Sequence, residues 1–301
     1  MSIERVAIIG LGLIGGSIGL AVQDKIPEIR TRGWDVDADV RRRAGERGLV
    51  QQVCDTAAEA VADADLVILC VPVGAMAYAA DAIAAALPQG AIVSDVGSSK
   101  ASVARALRHA LPGATIIPAH PVAGTEKSGP DAGFADLFSH RWCILTPAPD
   151  ADEAAVADLA GFWEGLGAKA EIMDAEHHDL VLAVTSHIPH LIAFTIVGTA
   201  SDLEDVTQGE VIKYSAGGFR DFTRIAASDP TMWRDVFLTN RDAVLEVLGR
   251  FSEDLTALQR AIRNGDGDTL FELFTRTRAI RRQVVEQGQD DARPDFGRKD
   301  H

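Results

Sequence analysis

The stretch VAIIGLGLIGGSIG, Val6 to Gly19, decides the fold. An apolar run typical of a buried strand leads directly into Gly10, Gly12 and Gly15, which are spaced as G-x-G-x-x-G and followed by an apolar helical pattern. In this context the first glycine allows a tight turn, the second lets the backbone approach a pyrophosphate, and the third lets helix and strand pack closely. The stretch therefore predicts the start of a dinucleotide-binding α/β domain.

The cofactor that this loop would hold is predicted from the residues around it. Leu13 and Ile14 open the helix whose N-terminus would face the phosphates. Asp35 follows the second apolar run, in GWDVD, where a carboxylate accepts hydrogen bonds from the ribose hydroxyls and repels a 2′-phosphate. The cofactor is therefore expected to be NAD. Arg41, Arg42 and Arg43 leave NADP open as an alternative, because they could serve a 2′-phosphate.

Short apolar runs and amphipathic patterns alternate through the first half of the chain. We expect strands at RVAIIG, TRGWDV, ADLVILCVPV, GAIVSDVG and ATIIPAH, and helices over residues 41–47, 75–87 and 100–110. This alternation predicts an α/β Rossmann-type domain with a mainly parallel sheet covered on both faces. Two later runs, RWCILTPAP and AKAEIMD, are expected to join the same sheet, with a helix over residues 152–166 between them.

The pattern becomes helical from about Asp174 onwards. Helices are expected over residues 175–201, 206–213, 230–264 and 268–286. We therefore predict three segments: an NAD-binding Rossmann domain at 1–173, an all-α substrate and dimerisation domain at 174–286, and a polar, disordered tail at 287–301. The apolar segment HHDLVLAVTSHIPHLIAFTIVGTA lies either in a domain core or against a second subunit, and we favour the second, a homodimer.

Composition excludes several classes of function. The formal net charge of −15 and the pI of about 4.9 argue against non-specific binding to nucleic acid or to an anionic membrane. The three cysteines have no CxxC spacing, and no signal peptide precedes the first strand, so a cytoplasmic location is expected. No membrane span is expected, because no segment is expected to approach an uncharged apolar run of 18 residues.

Two further strand ends carry polar residues, SDVGSSK at 94–100 and AHPVAGTEKSGP at 119–130. Both are expected to open on the same sheet edge as the glycine loop, with the backbone of Val71 and Pro72 alongside the cofactor. His120 is then a candidate general base near the nicotinamide. The alternatives are a structural histidine and, for Ser98 or Ser99, a helix N-cap.

Four motifs in this order, DVGSSK, HPVAGTEKSG, SHIPH and GGFRDFTRIAASDPTMWRD, resemble the prephenate/arogenate (cyclohexadienyl) dehydrogenase family of tyrosine biosynthesis. The resemblance covers roughly residues 5–281. It implies oxidative decarboxylation: prephenate and NAD give 4-hydroxyphenylpyruvate, carbon dioxide and NADH, and arogenate gives tyrosine.

The resemblance also implies roles for individual residues. His120 would hydrogen-bond the ring hydroxyl, and Ser98 would orient that hydroxyl or the imidazole. Arg224 would bind the ring carboxylate, for which a guanidinium offers a bidentate pair. His190 would lie near the pyruvyl arm, with His187 in a supporting position.

A second group of candidates is less specific. Glu126 and Asp221 match acidic residues near the arginine in relatives, although an ordinary ion-pair cluster is the alternative. Gly217 and Gly218 would let the backbone approach the substrate carboxylate, and Thr125 is a further candidate. Residues 187 and 190 also have a spacing that suits a metal pair, but no third ligand lies in a nearby motif, so no metal is expected.

Two other functions remain open at this point. A β-hydroxyacid dehydrogenase of the same architecture would typically use a lysine on the long linking helix, and no lysine lies between Lys169 and Lys213. A non-catalytic NAD-binding sensor would need neither a base nor a cationic anchor.

Overall fold

The main sheet of the protein has six parallel strands. A computed structural model describes residues 3–125, 127–203, 214 and 217–286. The strands are β1 Arg5–Ile9, β2 Arg30–Trp34, β3 Gln52–Val53, β4 Leu66–Leu69, β5 Ile92–Asp95 and β6 Thr115–Ile116. Their order in the sheet is β3-β2-β1-β4-β5-β6, so the progression of strands across the sheet reverses between β1 and β4. This order is that of dinucleotide-binding domains and confirms the predicted fold class.

Helices cover both faces of this sheet, so its central strands are buried on each side. Along β1, Val6 and Ile8 face one core cluster, whereas Ala7 and Ile9 face the other, as the two-residue period of a strand requires. The connecting helices are α1 Leu13–Lys25, α2 Ala38–Arg47, α3 Ala57–Val61, α4 Met76–Ile83 and α5 Ala101–Ala110.

A second, smaller sheet corrects the prediction that all strands join one sheet. Its order is β7-β8-β9, formed by β7 Ala119–Pro121, β8 Trp142–Leu145 and β9 Lys169–Ile172, with α6 Glu153–Gly165 between the last two. The predicted strand ATIIPAH breaks at Pro118, which has no N–H to continue a ladder. Its carbonyl accepts from the Thr146 backbone instead, and the chain pairs antiparallel with β8. His120 therefore lies within β7 of this second sheet.

The remaining described elements are helical, as predicted. After β9 they are α7 Ala175–Leu182, a π-helical turn Ala183–His187, α8 Ile188–Asp202, α9 Gly217–Thr223, a 3₁₀ turn Arg224–Ala227, α10 Pro230–Thr239, α11 Arg241–Asn264 and α12 Gly267–Glu286. Three further 3₁₀ turns lie earlier in the chain, at Val73–Ala75, Pro130–Ala132 and Ala135–Phe138. The helix predicted over 230–264 is interrupted at Asn240, whose buried side chain donates to the Asp179 carbonyl. The helix predicted over 206–213 and the tail predicted at 287–301 lie outside the described residues.

Contacts divide the chain into two compact units, which meet in sequence between Leu245 and Glu246. The first unit holds both sheets and α7 to α10. The second holds most of α11 and all of α12. The domain boundary predicted at 173/174 remains a prediction.

The continuous helical stretch Ala175–Asp202 corrects the expectation about apolar runs. Residues 180–201 contain no Asp, Glu, Lys or Arg, and the mean hydropathy of the most apolar window is 1.9. By length and composition this stretch could cross a membrane, although core helices of folded domains pass the same test. Its buried side chains include His178, Asp179 and His187, which hydrogen-bond within the first unit. The predicted absence of a membrane partner remains a prediction.

Candidate active site

The glycine loop follows β1 and reaches the start of α1. Gly10 has φ +101°, and a Cβ at this position would lie 2.4 Å from the carbonyl oxygen of Cys70. A Cβ at Gly15 would lie 1.9 Å from the carbonyl oxygen of Gly10, so the close approach of α1 to the loop excludes a side chain. Gly12 caps the helix, and a Cβ there would meet nothing within 4 Å. This open face, at the start of α1 beside Leu13 and Ile14, suits a pyrophosphate.

Asp35 lies at the end of β2 beside this loop. Its Oδ2 accepts from the backbone N–H of Leu11 at 2.8 Å, and its Oδ1 accepts from the N–H of Asp37 at 3.0 Å. These bonds fix the carboxylate next to the glycine loop. Each oxygen keeps a second lone pair, so ribose hydroxyls can still donate to it.

The three arginines of the NADP alternative are already engaged. Arg41 donates to the backbone carbonyl of Asp35 at 2.6 Å and to that of Val36. Arg42 and Arg43 form ion pairs with the carboxylates of Asp39, Glu46 and Asp131. A 2′-phosphate would have to compete with these partners, and this arrangement favours NAD.

The end of β4 supplies the opposite wall of the loop. Val71 is half-buried and packs against the core cluster on one face of the sheet, and Pro72 is exposed. The Val71 side chain would lie 3.2 Å from a Cβ at Gly10, so the two strand ends are in close contact. The sequence prediction that Val71 and Pro72 run alongside the cofactor is compatible with this position.

His120 is buried in β7, with 8% of its surface exposed. Its Nδ1 lies 2.9 Å from Nε2 of His178, and the two rings meet edge to face. Burial lowers the pKa of His120 well below 6.5, and the charges of His178, Lys100 and His187 lower it further. The imidazole is therefore neutral at neutral pH, which is the form that a general base needs.

A buried ion pair holds the strand of His120 against β5. Lys100 is fully buried, and its Nζ contacts the carboxylate of Asp95 and donates to the carbonyl of Ala119 at 2.7 Å. Burial lowers the pKa of Lys100 and raises that of Asp95, and each opposes the shift of the other. The ammonium thus ties the end of β5 to the residue that directly precedes His120.

Asp179 joins the helical part of the first unit to the same place. Its Oδ1 accepts from the N–H of Lys100 at 2.6 Å and lies 2.9 Å from Nδ1 of His178, while its Oδ2 accepts from the N–H of Ala101. Asp179 therefore caps the start of α5. This corrects the alternative in which Ser98 or Ser99 is the cap.

The two serines of the motif differ in environment. Ser98 is half-buried between β5 and α5, whereas Ser99 is buried with its Oγ 2.9 Å from Oγ1 of Thr239. The second serine therefore packs against α10. Ser98 remains the candidate for contact with a bound ligand.

The SHIPH motif spans the junction of the π-turn and α8. His187 is fully buried, its Nδ1 lies 3.1 Å from Nδ2 of Asn240, and burial lowers its pKa to about 4. His190 is half-buried, its Nδ1 donates to the Ser186 carbonyl at 2.8 Å, and its ring stacks on Trp233. The π-turn accommodates Pro189, which has no N–H for the helical ladder.

Arg224 lies half-buried in the turn that follows α9. Burial lowers the pKa of His190, and the charge of Arg224 adds to this effect. The charge of His190 likewise lowers the pKa of His187, and the charge of His187 lowers the pKa of His120. The predicted base and the predicted anchor therefore both influence the pKa of a histidine of the SHIPH motif or are influenced by one.

The remaining predicted residues that the structure describes are half-buried or exposed. Thr125 is half-buried, and its Oγ1 accepts from the N–H of Lys127 at 3.2 Å. Gly217, Gly218 and Asp221 are exposed on α9, and a Cβ at Gly218 would meet nothing within 4 Å. Glu126 lies outside the described residues. Within the described part of the chain, no group of three or more potential metal ligands is found.

Comparison with known protein families identifies the family of this chain. The model for the prephenate dehydrogenase nucleotide-binding domain matches residues 18–172, and that for the prephenate dehydrogenase dimerization domain matches residues 174–276. The chain belongs to the prephenate dehydrogenase family. The resemblance noted in the sequence is confirmed, and the alternative of a β-hydroxyacid dehydrogenase is not supported.

Individual relatives of this prephenate dehydrogenase family member agree. A cyclohexadienyl dehydrogenase from Zymomonas mobilis is 46% identical over 278 residues, which cover 92% of this chain and 95% of the relative. A crystal structure of prephenate dehydrogenase from Aquifex aeolicus, in complex with hydroxyphenyl propionate and NAD+, has a TM-score of 0.88. It is 31% identical, and the match covers 94% of this chain and 99% of that one. Synechocystis arogenate dehydrogenase has a TM-score of 0.79 at 25% identity, with 93% of this chain and 99% of that one covered.

Several residues of this prephenate dehydrogenase family site were not predicted from the sequence. His178, Asp179, Lys100 and Asn240 are buried around His120 and His187 and make most of the polar contacts there. Asp179 and His178 were visible only as part of EHHD in a helical pattern, which is typical of a solvated helix start. The available signal was the apolar segment that follows, which required this helix to be partly buried.

Proposed function

We propose that this chain catalyses the NAD-dependent oxidative decarboxylation of prephenate, of arogenate, or of both, in tyrosine biosynthesis. The observation that carries the proposal is the match of both family models across residues 18–276. The neutral, buried His120 beside the glycine loop's sheet supports it, since hydride removal from a ring carbinol needs a base for the hydroxyl proton. A non-catalytic sensor would not need that group.

The cofactor is NAD, which accepts the hydride from C4 of the substrate ring when it is bound. Gly10, Gly12 and Gly15, with Leu13 and Ile14, would hold its pyrophosphate at the start of α1. Asp35 would accept from the ribose hydroxyls. Val71, Pro72 and Ser98 would line the strand ends beside it.

His120 would accept the proton of the ring hydroxyl. Its Nδ1 is occupied by His178, so Nε2 is the nitrogen that can receive this proton. Ser98 would orient the hydroxyl or the imidazole. Because the base is neutral before reaction, the proton transfer generates an imidazolium only as the carbonyl forms.

Arg224 would grip the ring carboxylate, and His190 would contact the side arm of the substrate. A guanidinium that binds the carboxylate in the ground state does not by itself speed decarboxylation. Its contribution is to position C4 for hydride transfer, and loss of carbon dioxide then restores aromaticity. Thr125, Glu126, Gly217, Gly218 and Asp221 would form the rim of the site, and His187 would support His190.

The chain would act as a homodimer through its helical domain, residues 174–286, with residues 1–173 binding the cofactor. The matched dimerization-domain model supports this assembly. Large apolar side chains are exposed on two helices, at Val184, Ile196 and Val197 in one stretch and at Phe271, Phe274 and Ile280 in another. Cys54, Cys70 and Cys143 are unpaired, which suits a cytoplasmic enzyme. Sedimentation equilibrium tests the dimer, and a monomer at micromolar concentration would contradict it.

The proposed function is tested by steady-state formation of reduced cofactor with the purified chain. Prephenate and arogenate are each supplied with NAD and with NADP. We expect turnover with NAD on at least one of the two substrates. No reduction of NAD with either substrate would overturn the proposal and favour a sensor.

A further inference from the structure

Three side chains form a hydrogen-bonded line behind the proposed base. Asp179 Oδ1 lies 2.9 Å from Nδ1 of His178, and Nε2 of His178 lies 2.9 Å from Nδ1 of His120. His178 is completely buried, and Asp179 and His120 are almost so. Water therefore has little access to these three side chains and does not compete for the hydrogen bonds between them.

The direction of each hydrogen bond follows from the chemistry of the first residue. Both oxygens of Asp179 accept backbone N–H groups, from Lys100 and Ala101, so the carboxylate acts as an acceptor. His178 must then carry its proton on Nδ1, where it donates to Asp179. Burial lowers the pKa of His178, so the ring is neutral and its Nε2 has a free lone pair.

The hydrogen bond between the two imidazoles fixes the protonation of His120 as well. Since Nε2 of His178 is an acceptor, Nδ1 of His120 must carry the proton that joins them. The Nε2 of His120 is then unprotonated and makes no hydrogen bond within the described residues, so its lone pair is available. A neutral imidazole in water prefers the proton on Nε2, which is the form that could not act as a base at that atom.

We propose that Asp179 and His178 are positioning residues that fix the tautomer of His120 with Nε2 as the proton acceptor. This inference deepens the proposed function and rests on it. The line acts as the orienting carboxylate of a catalytic triad does, extended by one imidazole. Two contacts hold it in place: Lys100 donates its backbone N–H to Asp179 and its ammonium to the carbonyl of Ala119, directly before His120.

The tautomer can be read directly by ¹⁵N NMR of protein labelled at histidine. The His120 signals are assigned by their absence in His120→Asn. We expect the Nδ1 of His120 to show the shift and the one-bond proton coupling of a protonated nitrogen, and its Nε2 to show neither. A proton on Nε2 in the neutral ring would overturn the proposal. This readout does not depend on turnover, so it separates failure of the proposal from failure of the proposed function.

Two substitutions at His178 separate positioning from packing. Gln places an amide oxygen near the site of Nε2, where it can accept from His120, whereas Leu fills the space without an acceptor. We expect His178→Leu to lower kcat on the order of 10²-fold or more, with KM for NAD unchanged, and the ¹⁵N signals of His120 to shift to a mixture of tautomers. His178→Gln should keep the tautomer and restore kcat to within about tenfold of the parent.

His177→Leu is the matched control, since His177 is exposed on the same helix and should leave kcat unchanged. Equal kcat values for His178→Leu and His178→Gln, with the His120 tautomer the same in both, would overturn the proposal. If His178→Leu does not fold, the tautomer of the parent protein still decides it.

Discussion

The indole of Trp233 stacks on the imidazole of His190, with ring centroids 3.6 Å apart and planes inclined by 23°. The Nδ1 of His190 is held by the Ser186 carbonyl, so the ring is fixed both in its plane and at one edge. Its Nε2 is then the nitrogen that can meet a ligand. The stack places a residue of α10 in the same site as the SHIPH motif.

Loss of this stack should weaken substrate binding more than chemistry. Aromatic stacking is worth about 0.5–1.5 kcal/mol, so we expect Trp233→Leu to raise KM for prephenate by about 2- to 10-fold. Trp233→Phe keeps a ring face and should lie nearer the parent. Trp142→Leu, at an exposed tryptophan of β8, is the control. A KM for Trp233→Leu equal to that of the parent would contradict a role for His190 in substrate binding.

Substitution of Arg224 should weaken substrate binding and leave cofactor binding unchanged. Hydrogen bonds to a charged group are worth about 2 kcal/mol, which corresponds to a rise in KM of about 30-fold for Arg224→Ala. Arg224→Lys keeps the charge without the bidentate fork and should recover only part of the loss. Arg220→Ala, at an exposed arginine of α9, should be neutral. Equal losses for prephenate and NAD would indicate a general defect instead.

The carboxylate of Asp35 should set the preference for NAD. Hydrogen bonds to a charged group are worth about 1.5–3 kcal/mol, so Asp35→Asn should lower the NAD to NADP ratio of kcat/KM by about 10- to 100-fold. Asn can still accept from the Leu11 backbone, which protects the glycine loop. Asp37→Asn, two residues on, serves as the control. An unchanged ratio in Asp35→Asn would refute the ribose assignment.

Buried histidines should make the protein less stable in acid. Burial lowers the pKa of His187 from 6.5 to about 4, and it also lowers the pKa values of His120, His178 and His190. Below pH 6.5 the histidines of the unfolded chain therefore bind more protons than the same histidines in the folded chain. The free energy of unfolding should decrease as the pH is lowered, by about 1.4 kcal/mol per pH unit for each such group.

Urea titrations between neutral pH and the pKa of His187 measure this slope. His187→Asn keeps an acceptor for Asn240 and removes one titrating ring, so its slope should be shallower. Asp179, His178 and His190 are the charged and titrating groups that act on His187. An identical slope in His187→Asn would show that His187 does not contribute.

Local patterns were sufficient to predict the parallel strands and the glycine loop at the start of the chain. The glycine spacing after β1 and the acidic residue after β2 are set by the path of one short βαβ unit, so their positions follow from nearby sequence. The alternation of β1 between two cores follows in the same way. Here each prediction depends on residues that are close in the chain.

The surroundings of His120 depend on contacts that are distant in sequence. Lys100 is fully buried only because Asp95 and the carbonyl of Ala119 meet it, and His178 only because α7 packs against β7. A lysine or a histidine in a helical pattern is usually exposed, so composition favours the wrong environment for both. The break at Pro118, which moves His120 to a second sheet, likewise depends on the position of Thr146.

The role of His120 as the acceptor of the hydroxyl proton is the central claim, and kcat of His120→Asn tests it most directly. Calorimetry on the same variant measures the affinities for NAD and for prephenate. We expect kcat to fall on the order of 10²–10⁴-fold while both affinities stay close to those of the parent. A kcat that falls by less than about tenfold, in a variant that binds both ligands normally, would contradict the account.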